Sequence, residues 1–317
     1  MITISGIEMI TKTDKNIILE LQRNGRASYA EMAEKLGISV STAATRAERL
    51  LQAKIIEIRA IPNPFKIGLH ANALIAIQAE PQKIDGICDQ LVDNYNISTV
   101  LTVFGRYDIL IFVYFLTWEI LHSFIHEHLS KLDGVKKVET FYLKEFKKRY
   151  EQLFKKPADD FKPNGLQDIE WRLILELAKN GRMNMSEISE KIGIHVSNVS
   201  RRIHSLIEDD ICKIVAIPHP QYFGYLANAF MILDVRAVKV DEACAVLASQ
   251  PQIVVVSTLI NGSGIVVGIQ TPSNELLYKF IKEKIAQIDG IQRIETFITA
   301  ELRKRYYGWF IDETSSL

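Results

Sequence analysis

The sequence predicts an α+β protein built from two tandem copies of one unit, each a winged helix-turn-helix followed by a ferredoxin-like βαββαβ domain. Three observations predict it. The chain matches itself when slid by 156 residues, each copy opens on a helix–break–helix pattern, and each then changes to short alternating strands around two helices.

The repeat is visible in short identities. LEL at 19–21 returns at 175–177, NGR at 24–26 returns at 180–182, AIP at 60–62 returns at 216–218, and ETF at 139–141 returns at 295–297. From Asp14 to Ala73, 26 of 60 positions equal their partners at 170–229, so each structural or functional reading must hold twice. The copies divide the chain into a first helix-turn-helix (1–60), a first α/β sensing domain (61–150), a linker (151–167), a second helix-turn-helix (168–216) and a second sensing domain (217–317). KKPADDFKPNG at 155–165, with two prolines and a closing Asn-Gly, reads as linker rather than core.

In the first copy Asp14 to Arg23 reads as a helix, with Ile17, Ile18 and Leu21 on one stripe and Asn24-Gly25 as its stop. Ser28 stands at an N-cap with Glu31 three residues on, the capping-box spacing. A second helix carries Met32, Ala33 and Leu36 inward and breaks at Gly37. Ile38 and Val40 are expected to plug the core, and Ser41 to cap a third helix running to about Gln52. The second copy repeats this with Ser186, Glu187, Ile188, Ile192, Gly193, Ile194, Val196 and Ser197, then Val199, Ile203 and Leu206 inward. A tight, glycine-containing turn between two helices suits a reader that lays its second helix in a DNA major groove.

The outward face of that third helix carries Ser41, Thr42, Thr45, Arg46 and Arg49 in the first copy, and Ser197, Asn198, Ser200, Arg201 and Arg202 in the second. Hydroxyls and arginines at a helix start suit phosphates and base edges. These ten residues are the candidate DNA contacts. Residues 12–60 hold nine Lys/Arg against six Asp/Glu, whereas 168–216 hold seven against eight, so the second copy is expected to bind phosphate more weakly. The runs IIEIRAIPNP (55–64) and ICKIVAIPHP (211–220) then read as strands, each a wing or hinge.

Beyond Ala71 the order is strand (73–77), helix (83–94), strand (98–104), the turn GRYD (105–108), strand (109–114), helix (117–132), a stop at Asp133-Gly134, and strand (135–143). One face of such a sheet lacks helices, and duplication supplies its cover if the two sheets pack together within one chain.

The ordered set of Asp14, NGRAS (24–28), LGISVST (36–42), Arg46, Gly68 and GRYD (105–108) resembles the leucine-responsive/asparagine regulator (Lrp/AsnC) family of prokaryotic regulators, over nearly the whole chain. The resemblance implies sequence-specific binding of double-stranded DNA and a sensing domain for a small-molecule effector, an amino acid or related metabolite. Carried onto this sequence, the implied ligand positions are Thr102, Gly105, Arg106, Tyr107 and Asp108, where Arg beside Asp suits a carboxylate and an ammonium. It also implies a homo-dimer or homo-tetramer. In the second copy GRYD becomes NGSG (261–264), without the ring and both charges. The second site is therefore expected to be lost, or else to use backbone N–H groups.

Composition narrows the alternatives. Charge is formally zero, which argues against a nonspecific DNA-packaging protein. No apolar run reaches the roughly 18 residues of a membrane span, and MITISGIEMITK lacks the pattern of a signal peptide, so a cytoplasmic location and no membrane partner are expected. Cys88, Cys212 and Cys244 are far apart and outside any CxxC pair, which points to buried thiols in a reducing compartment. No catalytic residue, metal or cofactor is expected. His122, His126 and His128 lack a completing ligand, and Tyr278 replaces His122 in the second copy. An enzyme alternative is the sirohaem decarboxylases, which this layout also resembles; those are expected to carry histidine around the middle strands, where this chain has FGRYDILIF and INGSGIVVG.

Overall fold

The computed structural model describes residues 10–63, 66–94, 96–148 and 166–305. Of the linker expected at 151–167, residues 151–165 lie outside them. The chain forms two units, and each gathers the like parts of both copies. One holds the two helix-turn-helix segments with the strands that follow them, and the other holds the two βαββαβ segments.

In the first unit, helices α1 (Lys12–Arg23), α2 (Tyr29–Leu36) and α3 (Val40–Gln52) bury Ile17, Ile18, Leu21, Met32, Ala33, Ala43, Ala47 and Leu50. Ser28 and Glu31 make the expected capping box. Gly37, at φ 64°, ends α2 in the left-handed conformation that glycine adopts without a Cβ penalty. The third helix starts two residues earlier than the sequence suggests. Ser39, not Ser41, is its N-cap, through the N–H of Thr42 at 3.1 Å. Val40 consequently occupies the first helical position and is 52% exposed, while Ile38 is half-buried, so the expected core plug is at most partial.

The second copy gives α6 (Asp168–Lys179), α7 (Met185–Ile192) and α8 (Val196–Glu208). Here Asn184 caps α7 and His195 caps α8, in place of the serines at 186 and 197, and Val196 is again exposed. Leu173, Ile174, Leu177, Ile188, Val199, Ile203 and Leu206 form its core.

The strands after the third helices are neither wing nor free hinge. β1 (Ile56–Pro62) pairs antiparallel with β6 (Cys212–Pro218), from Ile56↔Pro218 to Pro62↔Cys212, and the ribbon joins the two copies. Around it the contacts are reciprocal. The Gly25 N–H donates to the Ile214 carbonyl and the Gly181 N–H to the Ile58 carbonyl, each at 2.7 Å. Arg26 donates to the Met183 carbonyl, and Arg182 donates to the carbonyls of Gly25 and Ala27. This is a pseudo-twofold pair of helix-turn-helix modules made within one polypeptide.

In the second unit, β2 (Ala71–Ala79), β3 (Ile97–Phe104), β4 (Ile109–Phe115) and β5 (Val135–Lys148) come from the first copy, and β7 (Ala227–Val235), β8 (Ile253–Leu259), β9 (Gly264–Thr271) and β10 (Ile291–Arg305) from the second. They close into one antiparallel barrel in the order β10-β3-β4-β2-β5-β8-β9-β7. The sheets thus pack together within one chain, and they do so edge to edge. Closure comes from the last strand of each copy: β5 leaves β2 to pair with β8, and β10 leaves β7 to pair with β3, each across β-bulges that turn the corner. This is why β5 runs to Lys148 rather than stopping near Leu143.

Helices α4 (Ile84–Val92), α5 (Trp118–Ser123), α9 (Val240–Ala248) and α10 (Asn274–Glu283) cover the outside over two aliphatic clusters. With helices on one side and the barrel interior on the other, β4 and β9 are buried along their whole length, and Phe112 meets Phe230 inside at 5.2 Å. The segment expected as one helix to Leu132 is α5 followed by a π-turn (Phe124–His128) and a 3-10 turn (Leu129–Lys131).

Candidate nucleic-acid interface and sensor turn

The α3 face divides into free and tethered groups. Ser41 and Thr45 are exposed, and Thr42 is half-buried, with the Ser39 hydroxyl hydrogen-bonded to those of Ser41 and Thr42. Arg46 and Arg49 are about a third exposed, and both reach back to Asp14, at 3.1 and 2.8 Å. Ser41, Thr42, Thr45, Arg46 and Arg49, the five residues read from the sequence, together line a depression of about 400 Å³.

Asp14, a helix-start residue and a member of the motif set in the sequence, is completely buried. Its carboxylate also accepts from the Thr11 N–H (2.9 Å) and the Thr11 hydroxyl (2.7 Å), closing a capping box. Burial pushes the Asp14 carboxyl up, but Thr11, Arg46 and Arg49 together outweigh it and hold it below the usual carboxylate range. The sequence signal for this role was an acid in the first turn of α1 with two arginines on α3; nothing local marks it as interior.

The α8 face is built more loosely. Ser197, Asn198 and Arg201 are exposed, Ser200 and Arg202 half-buried, and Arg201 donates to the Asn198 side chain at 2.9 Å. Glu170 stands at the Asp14 position, 25% exposed and 3.4 Å from Arg202, and Ser205 stands where the first copy has Arg49.

At the sensor turn, Tyr107 is buried, its ring against Phe297 and its hydroxyl on the Glu139 carboxylate. Burial and that carboxylate push the Tyr107 phenol well up. Arg106, 41% exposed, lies 2.8 Å from Glu295 and 3.4 Å from Glu139, which occupy the same position in the two copies. Asp108 spends its carboxylate on the Ala79 N–H at 2.8 Å, fixing the turn. Gly105 has φ 148° and packs so closely on Phe297 that a Cβ would meet the ring at 3.0 Å. Thr102, on β3, is half-buried. In NGSG, Asn261 accepts from the N–H groups of Ser263 and Gly264 in place of these charges. His122 shares a 2.9 Å hydrogen bond with Tyr142, and among the described residues no group of three or more His, Cys, Asp or Glu side chains could hold a metal ion.

Comparison with known proteins gives these geometries a family. Residues 10–57 and 166–211 match winged helix-turn-helix DNA-binding, residues 72–152 match the Lrp/AsnC ligand binding domain, and residues 228–312 match the PF0864 C-terminal dimeric alpha+beta barrel domain. An uncharacterized HTH-type transcriptional regulator of Pyrococcus furiosus is 34% identical over 141 residues, covering 44% of this chain and 95% of the relative. HTH-type transcriptional regulator FL11 of the same organism is 31% identical over 140 residues, covering 44% and 92%. The siroheme decarboxylase NirDL superposes with a TM-score of 0.63 at 14% identity over 95% of each chain, a likeness of fold.

The matched winged helix-turn-helix occurs twice along the chain, and single-unit regulators align with less than half of it. The chain belongs to the Lrp/AsnC family of transcriptional regulators, with the family's unit present twice.

Proposed function

We propose that this chain is a sequence-specific reader of double-stranded DNA whose single polypeptide supplies both halves of the reader, and that its barrel senses a small molecule. The carrying observation is the reciprocal β1–β6 junction, which holds α3 and α8 in pseudo-twofold relation without a second chain. Two such helices suit half-sites about one DNA turn, roughly 34 Å, apart. The first copy presents Thr42 and Thr45 where the second presents Asn198 and Arg201, so the operator is an imperfect palindrome. The second copy, with seven Lys/Arg against eight Asp/Glu over 168–216, binds its half-site the more weakly. Further association of whole chains into dimers or tetramers is part of this reading.

The effector reading rests on Arg106. A guanidinium 41% exposed beside two glutamates offers a carboxylate partner flanked by ammonium partners, the chemistry of a free amino acid. Asp108, already committed to Ala79, serves the turn rather than the ligand. The reaction-free nature of this reading is consistent with relatives named as regulators.

Selection of bound duplexes from a random pool tests the DNA claim, using the wild type beside Thr45→Asp and Arg201→Asp. Both positions are exposed, so folding is spared. A two-part motif, with each variant losing a different part, is expected; enrichment of no motif by the wild type overturns the reading.

A further inference from the structure

We infer that Asp14 is a positioning residue that aims the arginines of α3, and that the first copy is in consequence the more sequence-discriminating half of the reader, while the second meets DNA with less directed arginines. This rests on the DNA-reading function proposed above.

The two copies differ where the aim is set. In the first, one carboxylate with no exposure to solvent receives both Arg46 and Arg49 and is itself fixed by two bonds from Thr11. A buried acceptor with four such donors has one arrangement, so both guanidiniums are held before any ligand arrives. They still face outward enough to line the depression with Ser41, Thr42 and Thr45. Pre-fixed forks lose little side-chain freedom on meeting a base edge or phosphate, which is how geometry becomes discrimination.

In the second copy the corresponding acid is Glu170, one methylene longer and 25% exposed. Its contact with Arg202 is 3.4 Å, and no second arginine exists because Ser205 replaces Arg49. Arg201 bonds only Asn198 among the described residues. Arg202 meets Gln167 and Glu170 only at 3.4 Å each, and Arg201 is tied to an exposed side chain, so these cations attract phosphate from any sequence with looser aim. The carboxylate of Asp14 has a second consequence. A negative charge behind two arginines weakens their nonspecific pull on DNA, so the first copy gives up general affinity and keeps directed contact.

The test measures affinity for the selected operator and for a scrambled duplex, across a salt series, for the full chain carrying Asp14→Asn, Asp14→Glu or Glu170→Gln. Circular dichroism and thermal unfolding accompany each variant. Asp14→Asn is expected to lower the operator-to-scrambled ratio at least tenfold while scrambled binding at low salt holds or rises, and to steepen the log–log salt slope by up to about one. Asp14→Glu, which installs the side chain of the second copy, is expected to fall between, and Glu170→Gln to change the ratio less than threefold. A folded Asp14→Asn protein with the wild-type ratio overturns the inference, as does a Glu170→Gln loss as large as that of Asp14→Asn. If Asp14→Asn unfolds, Asp14→Glu decides: a wild-type ratio there overturns it. Failure of the wild type to prefer any duplex instead defeats the DNA reading itself.

Discussion

Gly181 donates its backbone N–H to the carbonyl oxygen of Ile58 at 2.7 Å, which fastens the second helix-turn-helix to the strand of the first. The mirror bond from Gly25 to Ile214 completes the pair. Neither glycine is there for an unusual φ; each is there because a Cβ would collide. At Gly181 it would meet Ile214 Cγ2 at 2.8 Å and the Ile58 carbonyl carbon at 3.0 Å, and at Gly25 it would meet the Ile214 oxygen at 2.9 Å. Gly25→Ala and Gly181→Ala are each expected to destabilise the paired readers by about 1–3 kcal/mol, because a backbone atom cannot rotate away. Thermal unfolding followed by calorimetry checks this, and unchanged unfolding in both variants would mean the junction is looser than described.

Arg106 neutralises two equivalent glutamates, and its loss should show a definite pH dependence. Burial pushes the Glu139 carboxyl up, but Tyr107, Lys137 and Arg106 hold it below the ordinary glutamate value. A depressed carboxylate stabilises the fold above its unfolded pKa, and that stabilisation disappears as pH falls through the folded value. Arg106→Met leaves Glu139 and Glu295 facing one another, so the variant should be less stable near pH 7 by on the order of 1 kcal/mol or less, given the exposure of the pair. The deficit should shrink as pH drops through the carboxylate range. Urea titrations at several pH values read it directly; a deficit that grows on acidification would contradict the assignment.

The three thiols should be silent in the native protein. Burial pushes Cys88 and Cys244 up to about 11 and Cys212 up to about 12, and all three side chains are buried. Only the thiolate reacts, so a maleimide or disulfide reagent at neutral pH should modify none of them before unfolding, and all three after. Mass spectrometry of briefly treated protein gives the answer, and rapid labelling of any one of them would refute its placement.

Thr299 carries a side-chain oxygen that is buried without a hydrogen-bond partner. The first copy has Leu143 at the same position. Thr299→Val keeps the shape and removes the unsatisfied group, and is expected to be neutral or stabilising by up to about 1 kcal/mol. Clear destabilisation of that variant would indicate that the hydroxyl is satisfied in solution, for example by a buried water.

Much of this architecture was legible because the chain states it twice. The stripe Ile17, Ile18, Leu21, the Ser28–Glu31 capping box and the strand–helix order of each sensor follow from local periodicity and spacing, which is the information a sequence carries directly. The errors are where a local rule had two solutions or the cause was distant. Ser39 and Ser41 both suit a cap, and the choice between them depends on how far the chain travels after Gly37. KEFKK at 144–148 looks like surface loop; it is strand because β8, over a hundred residues away, supplies its partner. The β1–β6 ribbon has the same origin. At the candidate sites the polar outer faces of α3 and α8 were legible from polarity alone. The interior role of Asp14 was not, because an acid in the first turn of a helix is ordinarily solvated and favourable there.

The measurement that bears most directly on one chain supplying both halves of the reader is site-directed DNA cleavage. With the native thiols buried, Thr45→Cys and Arg201→Cys proteins can each be labelled at one exposed position with an iron chelate and bound to the selected operator, with cleavage mapped on both strands. The account predicts that the label at position 45 cuts at one half-site and the label at position 201 at the other, about one helical turn away, with one chain bound per half-site pair. Cleavage by both labels at the same half-site, or a requirement for two chains per half-site pair, would contradict it.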